Sequence, residues 1–392
     1  MRYKAVIFDF DGTICDTGEG ILKSAKYALE AFGYNTPEDY RELTHFIGPP
    51  LLVTFQEKYG ADPTTAQELV KKYRERYTDV GLYESTLYDG IKELLERLRA
   101  DGIKTGIASS KPKNYIVSLL EKFEILHLFD SVCGVTFTVD CESKASIIGR
   151  CLSELGVAGN EAFVVGDRKF DIEGAKANII DSVGALWGYG NKFEFIEAGA
   201  KFIADKVDDI EAIALGFFEQ TVEKKGIFSG KIITVHLDDV TLTDGTQAER
   251  EVVDHPGGVG IVGLTDDNRV LLVRQFRYPY RETIYEIPAG KLEKGEDPKN
   301  SAIREFKEEC GAEAEILEPL GEIYPTPGYC GEIIRLFYAQ GLTFGEQQLD
   351  DDEYLDVVKM PFDECVRRIM SGEIKDAKTI VAILKLKELK GL

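Results

Sequence analysis

Apolar runs of strand length punctuate the first half of the chain. KAVIFDF (residues 4–10), IKTGIA (103–108), residues 131–136 and AFVVG (162–166) are each followed by a polar or helical segment. Continuous apolar strands alternating with amphipathic stretches predict a parallel sheet with helices on both faces. Between Thr17 and about Leu87 no comparable strand occurs. There Ile21, Ala25, Ala28 and Leu29 recur on one helical face, and residues 66–77 read as a charged amphipathic helix. A helical insert after the first strand is the expectation. Asp89 is expected to cap the helix that leads back to the sheet, with Leu94, Leu95 and Leu98 facing inward.

The texture changes near 218–225. DDIEAIALGFFEQ is the last helix-like stretch of the first half, and TVEKKG is a polar connection. Short strands follow, at 227–236, 248–253, 259–264, 269–275 and 333–339, with turns at TDG (243–245) and TDDN (265–268). Helices are expected at about 298–310 and 374–389. The prediction is an α/β domain over 1–220, with its insert at about 17–87, followed by an α+β domain over 221–392.

Composition narrows the functional classes. The 392 residues carry a formal charge of −22, spread along the chain. Such a surface repels nucleic acid and anionic membranes, so neither is expected as a partner. Small anionic substrates remain open, because a bound cation inverts the local field. Seven cysteines, at 15, 133, 141, 151, 310, 330 and 365, form no CxxC pair, as expected for free thiols in a reducing compartment. The opening MRYKAVIFDFDGT lacks the length and cleavage site of a signal peptide, and no apolar stretch approaches membrane-spanning length. A cytoplasmic location is expected.

Two carboxylate constellations carry the candidate chemistry. In the first, Asp9 and Asp11 flank Phe10 at the end of the first strand, and Gly12 permits a sharp exit. Ser109 follows the next strand, Lys144 stands near the start of a later helix, and VVGDRKFD supplies Asp167 and Asp171. Asp171 could also serve as an N-cap for the segment after it. Each position lies where a strand gives way to a loop or helix, the edge at which open α/β sheets place ligands.

DFDGT, the serine, the lysine and GDxxxD, in that order, resemble the haloacid dehalogenase superfamily of phosphatases over roughly residues 3–215. The resemblance implies Asp9 as a nucleophile forming an aspartyl-phosphate, and Asp11 as the acid that protonates the leaving oxygen and later activates water. It implies Ser109 and Lys144 as holders of the phosphoryl oxygens. Magnesium, with manganese as the alternative, would sit among Asp9, the Asp11 carbonyl and Asp167, supported by Asp171. FIGPP (46–50) in the helical insert resembles the substrate-facing loop of the branch containing phosphoglycolate phosphatases and 5′-nucleotidases. Together with GDRKFDIEGAKAN it lies closer to the nucleotidases.

In the second constellation, REFKEECG places Glu305, Glu308 and Glu309 at i, i+3 and i+4 of a helix, crowding one side. Ile303, Phe306 and Cys310 face another side and are expected to anchor the helix to a sheet. Three uncompensated acids on one face are destabilising unless a cation joins them. Gly290, five residues, Glu296, seven residues and then REFKEECG form the complete box of the Nudix hydrolases, and the resemblance covers about 226–388. Glu296 and Arg304 read as a structural pair. The flanking VRQFRYPYRETIYEIPAGKLEKGED resembles the ADP-ribose pyrophosphatase branch, as does Pro327, 15 residues beyond Ala312.

On that resemblance Arg277 and Glu286 are candidates for diphosphate-ribose and adenine contacts, respectively, with Glu286 equally readable as a satisfied loop acid. The Ala289 carbonyl joins the metal shell with Glu305, Glu308 and Glu309. Glu353, from the acidic segment QLDDDEYLD (348–356), is the expected base, with Glu332 the alternative. The strands at about 226–256 resemble a subdomain that such enzymes exchange in a homodimer; His236 and His255 within it read as structural or surface residues. The two resemblances imply small phosphate and diphosphate substrates. ADP-ribose would be cleaved to AMP and ribose 5-phosphate, and a phosphomonoester such as AMP then hydrolysed. The alternative is a phosphatase for phosphoglycolate or another small ester, regulated by a nucleotide-sensing, non-catalytic second domain.

Overall fold

The computed structural model describes residues 2–135, 142–349 and 353–392. Cys141, the last residue of the predicted strand 131–136, and Asp350, Asp351 and Asp352 of the acidic segment lie outside them. The chain divides into two compact units, Met1–Gln220 with Thr241–Gln247, and Thr221–Val240 with Ala248–Leu392.

In the first unit six strands lie in the order Ser131–Val135, Lys104–Pro112, Ala5–Phe8, Ala162–Gly166, Asp181–Ala185, Phe202–Ala204. Every pairing is parallel, with Phe8 opposite Ile107 on one side and Val165 on the other. Both faces of the central strand are buried, which is why its sequence is a continuous apolar run rather than an alternating one. Ala5 and Ile7 pack with Ile147, Ile148 and Cys151 of the helix Lys144–Leu155. Val6 and Phe8 pack with Leu94, Leu95 and Leu98 of the helix Ile91–Ala100.

The insert is helical, with Gly18–Ala31, Leu51–Tyr59 and Pro63–Asp79 closing over Ala25, Ala28, Leu29, Phe55 and Leu69. Asp62 caps the last of these by accepting from the N–H groups of Thr64 and Thr65, with Pro63 at the first helical position. Asp89 does not cap the returning helix. Gly90 occupies that position at φ 82°, a left-handed conformation that disfavours a side-chain-bearing residue, and no side chain caps the end.

The second unit holds a mixed sheet in the order Glu282–Glu286, Arg269–Arg277, Gly258–Leu264, Ile334–Phe344, Ala312–Ile323. Alternation assigns its two faces to different helices. Leu271 and Val273 share a cluster with Ala302, Phe306 and Cys310 of the helix Pro298–Cys310. Val270 and Leu272 share one with Ala382, Ile383 and Leu386 of the helix Ala377–Lys390. Ile303 is 50% exposed, so the anchoring stripe is 302, 306 and 310, one residue off the expected one at its first position.

The predicted strand 227–236 is a hairpin. Glu219–Ser229 and Thr234–Leu242 are joined where the Gly230 N–H donates to the Ile233 carbonyl, and Gln247–Asp254 completes a three-stranded sheet. The helix Phe362–Met370, absent from the sequence expectation, buries Phe362, Cys365 and Ile369. Among the described residues the cysteines are free, and no helix is long and apolar enough to cross a membrane. Removing the Phe306 ring leaves a cavity beneath the Pro298–Cys310 helix. Phe306→Ala is expected to cost about 3–5 kcal/mol, and Ile303→Ala under about 1 kcal/mol, measured as urea-unfolding shifts.

Candidate active sites

At the carboxyl edge of the six-stranded sheet, neighbouring strands deliver the first set of side chains. Asp9 follows Ala5–Phe8 and its N–H donates to the Val165 carbonyl at 2.8 Å; Asp167 follows Ala162–Gly166. Asp9, Asp167 and Asp171 bring three carboxylate oxygens within 4.8 Å of one another. Lys144, first residue of its helix, places Nζ 2.6 Å from both Asp9 Oδ1 and Asp171 Oδ1. Burial pushes Asp9 up to about 6 despite the pull of Lys144, with Asp171 adding repulsion. Burial, then Asp171 and Asp9, raise Asp167 well above the ordinary carboxylate value. Burial opposes the charge on Lys144, but Asp171 and Asp9 outweigh it and hold that lysine above its usual value.

This donor set fits a divalent cation. Lys144 pairs with two of the three acids, and Asp167 Oδ1 is buried without a hydrogen-bond partner while Oδ2 accepts from the Tyr189 N–H at 2.9 Å. Gly12, at φ 77°, lets the backbone pass against that carboxylate: a Cβ there would fall 2.1 Å from Asp167 Oδ2. Asp171 is not an N-cap. It stands inside the helix Lys169–Ala177, whose N-cap is Arg168, and its Oδ2 accepts the Arg168 N–H at 3.1 Å while Oδ1 meets Lys144.

The second set lies on the helix Pro298–Cys310. Glu309 is buried, and its Oε2 accepts from the Ala289 N–H at 2.9 Å. Burial raises Glu309 to about 8 against the lowering pull of the Ala289 hydrogen bond, with Glu305 and Glu353 adding repulsion. Burial also raises Glu305, against the pull of Arg304. Arg304 donates through Nη1 to Glu305 at 2.8 Å and to Glu308 at 3.0 Å. Its Nε and Nη2 reach Glu296 at 3.0 and 3.1 Å, which holds Glu296 down to about 2. Gly290 leaves room for the Glu305 carboxylate, which would lie 1.8 Å from a Cβ there. A buried acid among like charges suits a cation here too, although these glutamates do not close into a cluster as tight as the first.

The haloacid dehalogenase-like hydrolase family matches residues 6–185, and the NUDIX domain family matches residues 254–380. An ADP-ribose pyrophosphatase of Bacillus subtilis is 43% identical over 174 residues, 43% of this chain and 94% of that protein. A 5′-nucleotidase of Pseudomonas aeruginosa is 38% identical over 194 residues, 50% of this chain and 87% of that protein. The chain belongs to both families. A methanol dehydrogenase activator of Bacillus methanolicus is also 43% identical, over 176 residues, 44% of this chain and 95% of the relative. The crystal structure of a candidate phosphatase from Clostridium difficile shares 39% identity, with a TM-score of 0.51 over 55% of this chain and all of that one.

In the haloacid dehalogenase-like hydrolase half, the structure gathers Asp9, Lys144, Asp167 and Asp171. Ser109 does not follow the adjacent strand but lies within it, in Lys104–Pro112, because that strand runs on past Ala108; it is buried there, and its Oγ accepts from the Lys111 N–H at 3.3 Å. Three neighbours escaped the sequence reading. Thr17 and Lys111 both donate to Asp11, and the Arg168 Nη1 donates to the carbonyl of Ile47 in FIGPP at 2.7 Å. A polar residue directly after the SS pair was the only signal for Lys111.

In the Nudix half, Glu305, Glu308, Glu309, Ala289 and Glu353 share one neighbourhood. Glu286 is 1% exposed, with both oxygens taken by Arg277 at 2.5 and 2.8 Å and one also by Lys378. Glu286 thus ties Arg277 to Lys378 from beneath the surface. Pro327 lies on an exposed loop that docks beside Val253 through Tyr329 and Gly331. Glu332 pairs with His255 at 3.5 Å. Buried His236 stands between Asp238 at 2.6 Å and Asp254 at 3.3 Å.

The raised Glu309 links stability to pH. Its folded value of about 8 exceeds the ordinary 4.5, so the folded protein keeps a proton that the unfolded chain has already released. The resulting stabilisation is complete below 4.5 and is lost as pH rises through about 8. In chelator, Glu309→Gln is expected to flatten the fall in stability across that window by at most ~1.4 kcal/mol per pH unit. Urea titrations of both proteins at several pH values measure the difference.

Proposed function

We propose that the Nudix half cleaves the diphosphate of ADP-ribose, or of a related nucleoside diphosphate sugar, and that the other half removes phosphate from the AMP produced. The observation that carries this reading is a carboxylate set in each unit built around buried members, Asp167 and Asp171 in one and Glu309 in the other. Relatives named for ADP-ribose pyrophosphatase and 5′-nucleotidase activity support the choice of substrates.

In the phosphatase half, an Asp9 oxygen attacks phosphorus as the bond to the leaving oxygen breaks, and Asp11 gives that oxygen a proton. Water then loses a proton to Asp11 and attacks the aspartyl-phosphate, freeing phosphate and the Asp9 carboxylate. Ser109 and Lys144 hold phosphoryl oxygens. In the Nudix half, Glu353 takes a proton from the water that attacks one phosphorus of the diphosphate, and ADP-ribose plus water becomes AMP plus ribose 5-phosphate. Arg277, held by Glu286, orients the diphosphate.

Divalent cations serve both families, and we propose magnesium here; it would offset charge on the phosphoryl oxygens. Asp9, the Asp11 carbonyl, Asp167 and Asp171 would hold it in one half, and Glu305, Glu308, Glu309 and the Ala289 carbonyl in the other. We further propose a cytoplasmic homodimer joined through the Nudix half, whose strand Glu219–Ser229 exposes Val222, Ile227 and Phe228. A second reading, in which the Nudix half senses a nucleotide without turnover, draws on the relative named as an activator. The retained carboxylates weigh against it, because a sensor needs no hydrolytic set.

A time course with ADP-ribose and magnesium, following AMP, adenosine, ribose 5-phosphate and phosphate, tests the scheme. Wild type is expected to yield adenosine and phosphate. Asp9→Asn is expected to accumulate AMP, and Glu309→Gln to lose at least about 100-fold in ADP-ribose cleavage. AMP that persists with wild type would sever the two steps. Binding without cleavage would establish the sensor.

A further inference from the structure

Lys111 is a buried cation to which the scheme above gives no task. Its side chain is 5% exposed, near the end of the strand Lys104–Pro112. Nζ donates to Asp11 Oδ1 at 2.8 Å and to the Tyr77 hydroxyl, and stands 5.0 Å from the Tyr77 ring centroid and 5.8 Å from that of Phe10. Thr17 Oγ1 donates to the same Asp11 oxygen at 2.6 Å. The hydrogen bonds of the Asp11 side chain among the described residues therefore fall on Oδ1. Tyr77 belongs to the insert helix Pro63–Asp79 and is itself buried.

We propose that Lys111 is the positioning residue for the proton carrier. With Thr17 it pins Asp11 Oδ1, leaving Oδ2 toward the leaving oxygen, and through Tyr77 it makes that orientation depend on the helical insert. The proposal rests on Asp11 being the acid. Enclosure supports it as well: Nζ is shut in by Asp11, the Tyr77 hydroxyl and the Phe10 ring, with hydrogen bonds to the first two. A lysine retained in such a place without a partner of this kind would carry a large desolvation cost.

Leaving groups separate positioning from mere support. Nitrophenolate departs without a proton, whereas an alkoxide from a nucleotide's ribose needs one as the bond to phosphorus breaks. Misalignment of the acid must therefore cost more on the alkyl ester. The full-length protein is assayed with p-nitrophenyl phosphate and with AMP, as wild type, Lys111→Met, Tyr77→Phe and Asp11→Asn. We expect Lys111→Met to lose roughly 10- to 100-fold more in kcat on AMP than on p-nitrophenyl phosphate, with KM on AMP moving less than about 3-fold. Tyr77→Phe is expected to show the same asymmetry, smaller.

Equal losses on both esters in Lys111→Met, or a change confined to KM, would overturn the proposal. If Asp11→Asn shows the asymmetry and Lys111→Met does not, the proposal alone fails. If Asp11→Asn shows none, its reading as the acid fails and the proposal falls with it. Should Lys111→Met not fold, Lys111→Gln is read by the same criterion.

Discussion

Like charges buried close together are the constraint on which both halves of this protein turn. Asp9, Asp167 and Asp171 present three carboxylates to a single lysine, and two of the three share its Nζ at 2.6 Å. Glu305, Glu308 and Glu309 crowd one helix with a single arginine between the first two. Removing an ion from water costs several kcal/mol even after relaxation, and one cation cannot offset three anions. The fold therefore strains to keep these groups ionised, and it answers in part by holding protons, as on Glu309 up to about pH 8. A divalent cation would balance the ionised carboxylates instead, so the arrangement is shaped for a ligand rather than for stability alone.

Backbone geometry serves the same end. The acids must come close to main chain that carries no side chain of its own. Gly12 passes against Asp167 and Gly290 against Glu305, each at a separation that a Cβ would close to about 2 Å. The strand packing behind Asp9 makes the approach rigid. Ala5, Val6, Ile7 and Phe8 are fully buried, alternate between two helical layers, and fix where the chain emerges at the sheet's edge. Packing thus sets the direction in which the carboxylates point.

How much of this was legible in the sequence follows from how far each feature reaches. The Nudix box was readable in detail because one loop and one helix build it, and Arg304 meets Glu296 across eight positions. The first centre spans Asp9 to Asp171, and only the expectation of a parallel sheet brought its parts together. What periodicity cannot supply is a side chain's partner. Lys111, Thr17 and Arg168 gave no pattern, and nothing in the sequence pointed to Arg277 and Lys378 as the partners of Glu286. Local backbone choices were also missed. Gly90 takes the left-handed cap position beside the more obvious Asp89, and a turn at Gly230–Ile233 divides what looked like one strand. Ile303 failed for a subtler reason: on a narrow apolar stripe, a shift of one residue decides between core and solvent.

The two centres also differ in where their counter-charge is anchored, and the difference bears on how each admits a cation. Lys144 spends its whole ammonium on two of the acids in the tight cluster. Arg304 is divided. Its Nε and Nη2 are held by Glu296, and only Nη1 reaches Glu305 and Glu308. Glu296 is held well below the ordinary glutamate value by that contact. Because Glu296 holds Nε and Nη2, a cation that drew Glu305 and Glu308 away from Nη1 would leave the guanidinium anchored, a second hold that a lysine, with its single donor centre, could not offer.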